Sequence, residues 1–148
     1  MSRGATAVLL ELPAGKHVIA GTEVHVQPTA MNRRHFASRA TGHPLVEGLE
    51  PNDIRFWYDQ RAGFVTPLLA TTFLAHSWRP ILTSGNPDAE GKWVRTLAAA
   101  ELSHGKGLFR ICQVELAGRT KCNPVASILA RRLIAAASPG SLSLPEGP

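Results

Sequence analysis

The apolar residues of this chain fall into short runs that proline or glycine keeps cutting, and only one stretch, near the C-terminus, carries them at helical spacing. That punctuation points to a sheet of short strands with few helices. Residues 7–12 (Ala-Val-Leu-Leu-Glu-Leu), stopped by Pro13 and Gly15, read as a buried strand. Residues 22–27 alternate around Val24 and Val26 and end at Pro28, which suits a strand with one covered face. Residues 29–48 read as loop. Glu50-Pro51-Asn52-Asp53 then supplies the proline and acid of a first helical turn, so a short helix carrying Ile54, Phe56, Trp57 and Tyr58 is expected. Strands are predicted over 65–75, 79–84, 93–101 and 108–116, with a firm break at Gly85-Asn86-Pro87-Asp88 and a hairpin turn at Gly105-Lys106-Gly107, where glycine takes positive φ at little cost.

The helix signal is Asn123-Pro124 followed by Val125, Ile128, Leu129, Leu133 and Ala136: an N-cap residue, proline at the first position and an apolar stripe. Arg131 and Arg132 sit near its C-terminal end, where the helix dipole favours cations. The order predicts an α/β fold with a mixed, strand-rich sheet and few covering helices, hence an exposed face or edge for another chain to pack on. Residues 1–137 form one expected domain, and the Ser/Pro/Gly-rich 138–148 a flexible tail.

With 148 residues, 44% of them hydrophobic, the chain can bury one core. A (β/α)8 barrel needs about 250 residues and cannot fit. The net charge of +5 would suit an anionic partner. The densest basic cluster, Arg33, Arg34, His35 and Arg39, lies in a loop-like stretch, followed by Arg131 and Arg132, and there is no run of Lys/Arg interleaved with aromatics, which makes nucleic acid an unfavoured partner. The apolar runs are too short to cross a bilayer and no signal peptide is evident, so the expected setting is cytoplasmic with reduced cysteines.

No catalytic motif emerges. An amidotransferase or α/β-hydrolase needs a nucleophile on a sharp strand-to-helix turn flanked by glycines. Cys112 instead lies between Ile111 and Gln113 inside a predicted strand, as a small buried hydrophobe, and Cys122 only precedes a helix. The six histidines never take the spacing of a helical zinc pair, and no cofactor or metal is expected. Asp53 reads as a capping residue, and Asp59, Glu101 and Glu115 as solvated or strand-face positions.

Five segments in order carry a resemblance: Gly42-His43-Pro44-Leu45-Val46-Glu47-Gly48-Leu49, Asp53-Ile54-Arg55-Phe56-Trp57, Pro80-Ile81-Leu82-Thr83-Ser84-Gly85, His104-Gly105-Lys106-Gly107 running through Leu116, and Asn123-Pro124-Val125-Ala126. This succession is similar to the C-terminal segment of family 2 glycoside hydrolases, where a region of class I glutamine amidotransferase-like (flavodoxin-like) fold follows the catalytic barrel. The resemblance implies an amidotransferase-like shape without amidotransferase chemistry, truncated at its N-terminal side, acting as a non-catalytic accessory or oligomerisation domain. Its partner would be a second copy or a glycoside hydrolase domain. The alternative is a carbohydrate-binding module, since sugars stack on exposed aromatic rings; Trp57, Trp78 and Trp93 are the candidates, with Trp78 read as the more exposed and Trp57 as an anchor for the short helix.

Overall fold

The computed structural model describes residues 5–29, 34, 37–87 and 90–135. In chain order the strands are β1 (Thr6–Leu10), β2 (Gly15–Ile19), β3 (Thr22–Pro28), β4 (Tyr58–Asp59), β5 (Phe64–Val65), β6 (Thr71–Leu74), β7 (Arg79–Pro87), β8 (Trp93–His104) and β9 (Gly107–Cys112), followed by the helix α1 (Pro124–Ala135). Two 3-10 turns, Pro44–Val46 and Pro51–Ile54, lie in the connection before β4. No helix among the described residues is long and apolar enough to cross a membrane.

The fold is the mixed, strand-rich α/β sheet that the sequence predicts. Seven strands join in the order β1-β9-β8-β6-β3-β2, with β7 on β8, and β4 and β5 form a separate pair. β1 runs parallel to β9, whereas β9 meets β8 as an antiparallel hairpin in which His104 faces Gly107 across a Gly105-Lys106 turn, Gly105 having φ +61°. The long β8 holds β7 along one side; the other is shared by β9, from Ala99 onward, and β6, through Leu97 and Phe73.

This fork curls the sheet and gives it two cores. On one face Ile81, Leu82, Ala98, Ala99 and Cys112 pack with Leu129 and Leu133 of α1 and with Leu45, Ile54 and Trp57 from the 3-10 region. On the other, Val24 and Val26 of β3 and Phe73 of β6 close over Ala100 and Ile111. Burial of apolar surface on both sides, worth roughly 25 cal/mol per Å2, holds the curl. The centre of the sheet is thus covered on both faces, and of the exposed face or edge expected from the sequence it is the edges that are left.

Several local expectations need correction. The strand read as buried over 7–12 is an edge strand, with Leu10 half exposed. The loop before β3 contains β2, which pairs with β3 through an Ala20-Gly21 turn. The short helix ends as a 3-10 turn at Ile54, because Arg55 is extended and Phe56 takes φ +55°; Phe56 is exposed while Trp57 is buried. The run over 65–75 is two strands, since Pro67 has no N–H for a ladder and the backbone of Leu68 turns to bond Arg34 and Glu115. β7 continues through Gly85, Asn86 and Pro87, so the expected break does not fall there, and Asp88 lies outside the described residues. The side chain of Asn123 does not cap α1: it clamps the Tyr58 backbone through Nδ2 to O at 2.7 Å and N–H to Oδ1 at 2.9 Å, and its backbone carbonyl alone serves the helix. The expected tail at 138–148 lies outside the described residues.

Candidate functional site

Glu101, His43, Asp59 and Glu115, four of the residues able to do acid or base chemistry, form structural clamps. Glu101, on β8, lies in register between Arg79 of β7 and Arg110 of β9. Arg110 Nε donates to its Oε1 at 3.0 Å, Arg79 approaches at 4.0 Å, and His43 Nε2 lies 3.1 Å from its Oε2. His43 Nδ1 accepts the Leu45 N–H, which leaves Nε2 to carry the proton facing Glu101. Burial alone would push the Glu101 carboxyl up, but His43 and Arg110 overcome it and hold the group below its ordinary value. Arg110, almost fully buried, also donates to the Leu133 carbonyl of α1, so one cluster ties β7, β8, β9 and the helix together.

A second clamp surrounds Arg119. Its guanidinium is buried, donates to the carbonyls of Thr66 and Pro67 and to Thr66 Oγ1, and lies 3.9 Å from Asp59 and 3.8 Å from Glu115. The backbone N–H groups of Arg61 and Ala62 and the Thr66 hydroxyl reach Asp59, and together with Arg119 they outweigh its desolvation and lower its pKa. Asp59 on β4 and Glu101 on β8 thus take the strand position, of the solvated or strand-face alternatives expected, and are ion partners turned toward the interior. Asp53 does cap, its Oδ2 accepting the Glu50 N–H at 2.7 Å. Cys112 is wholly buried and its thiol is pushed up to about 12, as suits the small hydrophobe foreseen; Cys122 is exposed and free. Among the described residues no group of His, Cys, Asp and Glu is placed to hold a metal ion.

The three tryptophans do not come together. Trp57 is buried, its indole N–H donating to the Asp53 carbonyl at 2.8 Å. Trp78 is also buried, donating to Thr22 Oγ1 at 2.8 Å, which corrects the expectation that it is the exposed ring. Trp93 is 58% exposed. Its indole crosses Gly85 on the facing strand so closely that a Cβ there would collide with it, while the Arg34 guanidinium stands 5.1 Å from the ring centroid. Arg34 also donates to the Gly85 carbonyl and to Asn86, so this member of the basic cluster is turned onto the sheet; Arg33 and His35 lie outside the described residues.

What the sequence did not single out is the difference among the sheet edges. Outside β7, Ser38 exchanges a pair of backbone bonds with Thr83, Thr41 Oγ1 donates to the Ile81 carbonyl, and the strand carries Pro80 and a bulge. β2 carries Lys16 and His17, with Lys16 3.9 Å from Glu23 of β3. β1 reads Thr-Ala-Val-Leu-Leu, without charge, proline or bulge, and has one partner strand among the described residues. Along it runs an apolar groove of about 270 Å3 lined by Val8, Leu10, Val114, Leu116, Leu133 and Ile134, with Glu11 at its end. Burial, and the nearby Glu115, push the Glu11 carboxyl up. The signal available in the sequence was the missing charge, legible only once strand order shows that this strand is an edge.

No protein-family model, no curated protein and no solved structure matches the chain.

Proposed function

We propose that this chain is a non-catalytic accessory and oligomerisation domain, related to the C-terminal region of glycoside hydrolases, and that its contact is the β1 edge, to which a second copy adds antiparallel. The observation that carries this reading is the contrast between edges: natural sheets blunt exposed strands with charge, proline, bulges or covering loops, and β1 alone among the described edges has no charge, proline or bulge and, among the described residues, no second strand beside it. Parallel-paired strands are ordinarily covered on both faces, which leaves the apolar groove beside β1 as surface to be buried. A two-fold axis at Val8 sets Ala7 against Leu9 and Thr6 against Leu10, so the isologous pairing brings no like charges together. The non-catalytic part rests on carboxylates committed to buried arginines and a thiol held protonated by burial. Two unpaired cysteines suit a reducing, cytoplasmic setting.

The test is the solution mass of the purified chain by light scattering over a concentration series, for the native sequence and for Leu10→Lys, with and without a panel of oligosaccharides. A dimer that is indifferent to sugar and dissociates in the lysine variant is expected. A monomer at every concentration would contradict the reading. Carbohydrate recognition through Trp93, the one exposed ring of the three, would show instead as a sugar-dependent fluorescence change lost in Trp93→Ala.

A further inference from the structure

A second groove, of about 710 Å3, opens where β3, the β6–β7 turn and the start of β8 meet, and it is independent of the β1 edge. Trp78, Leu97 and Leu74 give it an apolar floor. That floor is rigid: the Thr22 hydroxyl donates to the Ile19 carbonyl at 2.8 Å and accepts the Trp78 indole N–H at 2.8 Å, fixing ring and strand together. Around it stand Arg95, His25 and His76. The single carboxylate in the wall, Glu23, is matched by Lys16. Arg95 forms no ion pair among the described residues, so the groove holds a net positive charge with its guanidinium fork unengaged.

The turn that closes one end is strained. Ser77 takes φ +73°, a left-handed conformation that a residue other than glycine adopts at a cost, and both Ser77 and His76 line the groove. Concave sites that combine an apolar floor with a few converging polar groups are the usual form of a small-ligand site, and the volume falls in the ordinary range for one. The polar groups here divide by chemistry. Arg95 offers two parallel donors that fit a carboxylate, whereas Ser77 and the two imidazoles offer the mixed donor and acceptor set that fits hydroxyls.

We propose that this groove binds an acidic saccharide, with the carboxylate of a uronate unit on Arg95, its hydroxyls on Ser77, His76 and His25, and its apolar ring face over Leu74 and Leu97. The measurement is calorimetric titration of the full chain with digalacturonate, alongside a neutral disaccharide, inorganic phosphate and benzoate as probes, with tryptophan fluorescence as a second signal because Trp78 lines the floor. Digalacturonate is expected to bind, to shift the fluorescence, and to lose about tenfold or more in affinity in Arg95→Gln, since a charge-assisted pair is removed. Arg131→Gln, on the exposed side of α1, changes the same net charge and should leave affinity intact. Arg95 is exposed, so the variant should fold, and its melting curve checks this. Equal affinity in Arg95→Gln and the native chain, equal binding of phosphate, benzoate or the neutral sugar, or no binding of digalacturonate at millimolar concentration would each overturn the proposal.

Discussion

β7 and β1 border the same sheet and are finished in opposite ways. β7 is bridged by Ser38, held by Thr41 and Arg34, bent by a bulge and interrupted by proline. β1 has no bulge, proline or charge, and among the described residues its one partner strand is β9. Both run beside well-packed partners, so the difference is not one of core quality. It lies in how the outward backbone groups and side chains are treated, and that treatment separates an edge built to stay solitary from one suited to take another strand.

The largest effect should come from Glu101, whose cluster ties β7, β8, β9 and α1 together. Glu101→Ala leaves buried Arg110 without its carboxylate and is expected to cost about 3 kcal/mol, read from urea unfolding. Loss below about 1 kcal/mol would mean that the edges are joined by packing alone. Next comes damage to the finished edge. Gly85→Val drives a side chain into the exposed Trp93 indole, which must swing aside, and should destabilise by about 1 kcal/mol through the lost ring contacts while freeing the ring, visible as a red shift in tryptophan emission.

The acid response is smaller and has a definite sign. Glu101 and Asp59 are held below their ordinary values of 4.5 and 3.8 in the folded chain, so each contributes stability that is fully present above those values and is lost as pH falls through the lowered native ones. The urea midpoint should drop between neutral pH and about pH 3, with a shallower drop in Glu101→Ala. The smallest effect on stability belongs to the bare edge. Leu10 is half exposed, so Leu10→Lys should move the unfolding free energy by no more than about 0.5 kcal/mol while weakening self-association, a separation that a merely structural strand would not show.

Much of the secondary structure was legible because proline and glycine mark its ends. The hairpin at Gly105 and the α1 start at Pro124 follow directly from local chemistry. β2 was hidden because Gly15, read as a stop, is the first residue of the next strand. The tryptophans show a different limit. Trp78 and Trp93 each border a strand, and nothing in their neighbours says that one donates to Thr22 from the core while the other crosses a glycine in the open; that depends on pairing between residues far apart in the chain. Arg119 was missed for the same reason: its carbonyl and carboxylate partners gather only when β4, β5 and the turn before α1 meet. The candidate edge could not be read at all before strand order was known, since Thr-Ala-Val-Leu-Leu is equally apt for a central strand.

The most direct test of the account is amide hydrogen exchange across the sheet edges as a function of protein concentration. Protection over Thr6–Leu10 should rise with concentration while β7, already closed by Ser38 and Thr41, stays unchanged. Exchange at β1 that is the same at every concentration, or added protection appearing on β7 or β2 instead, would contradict it.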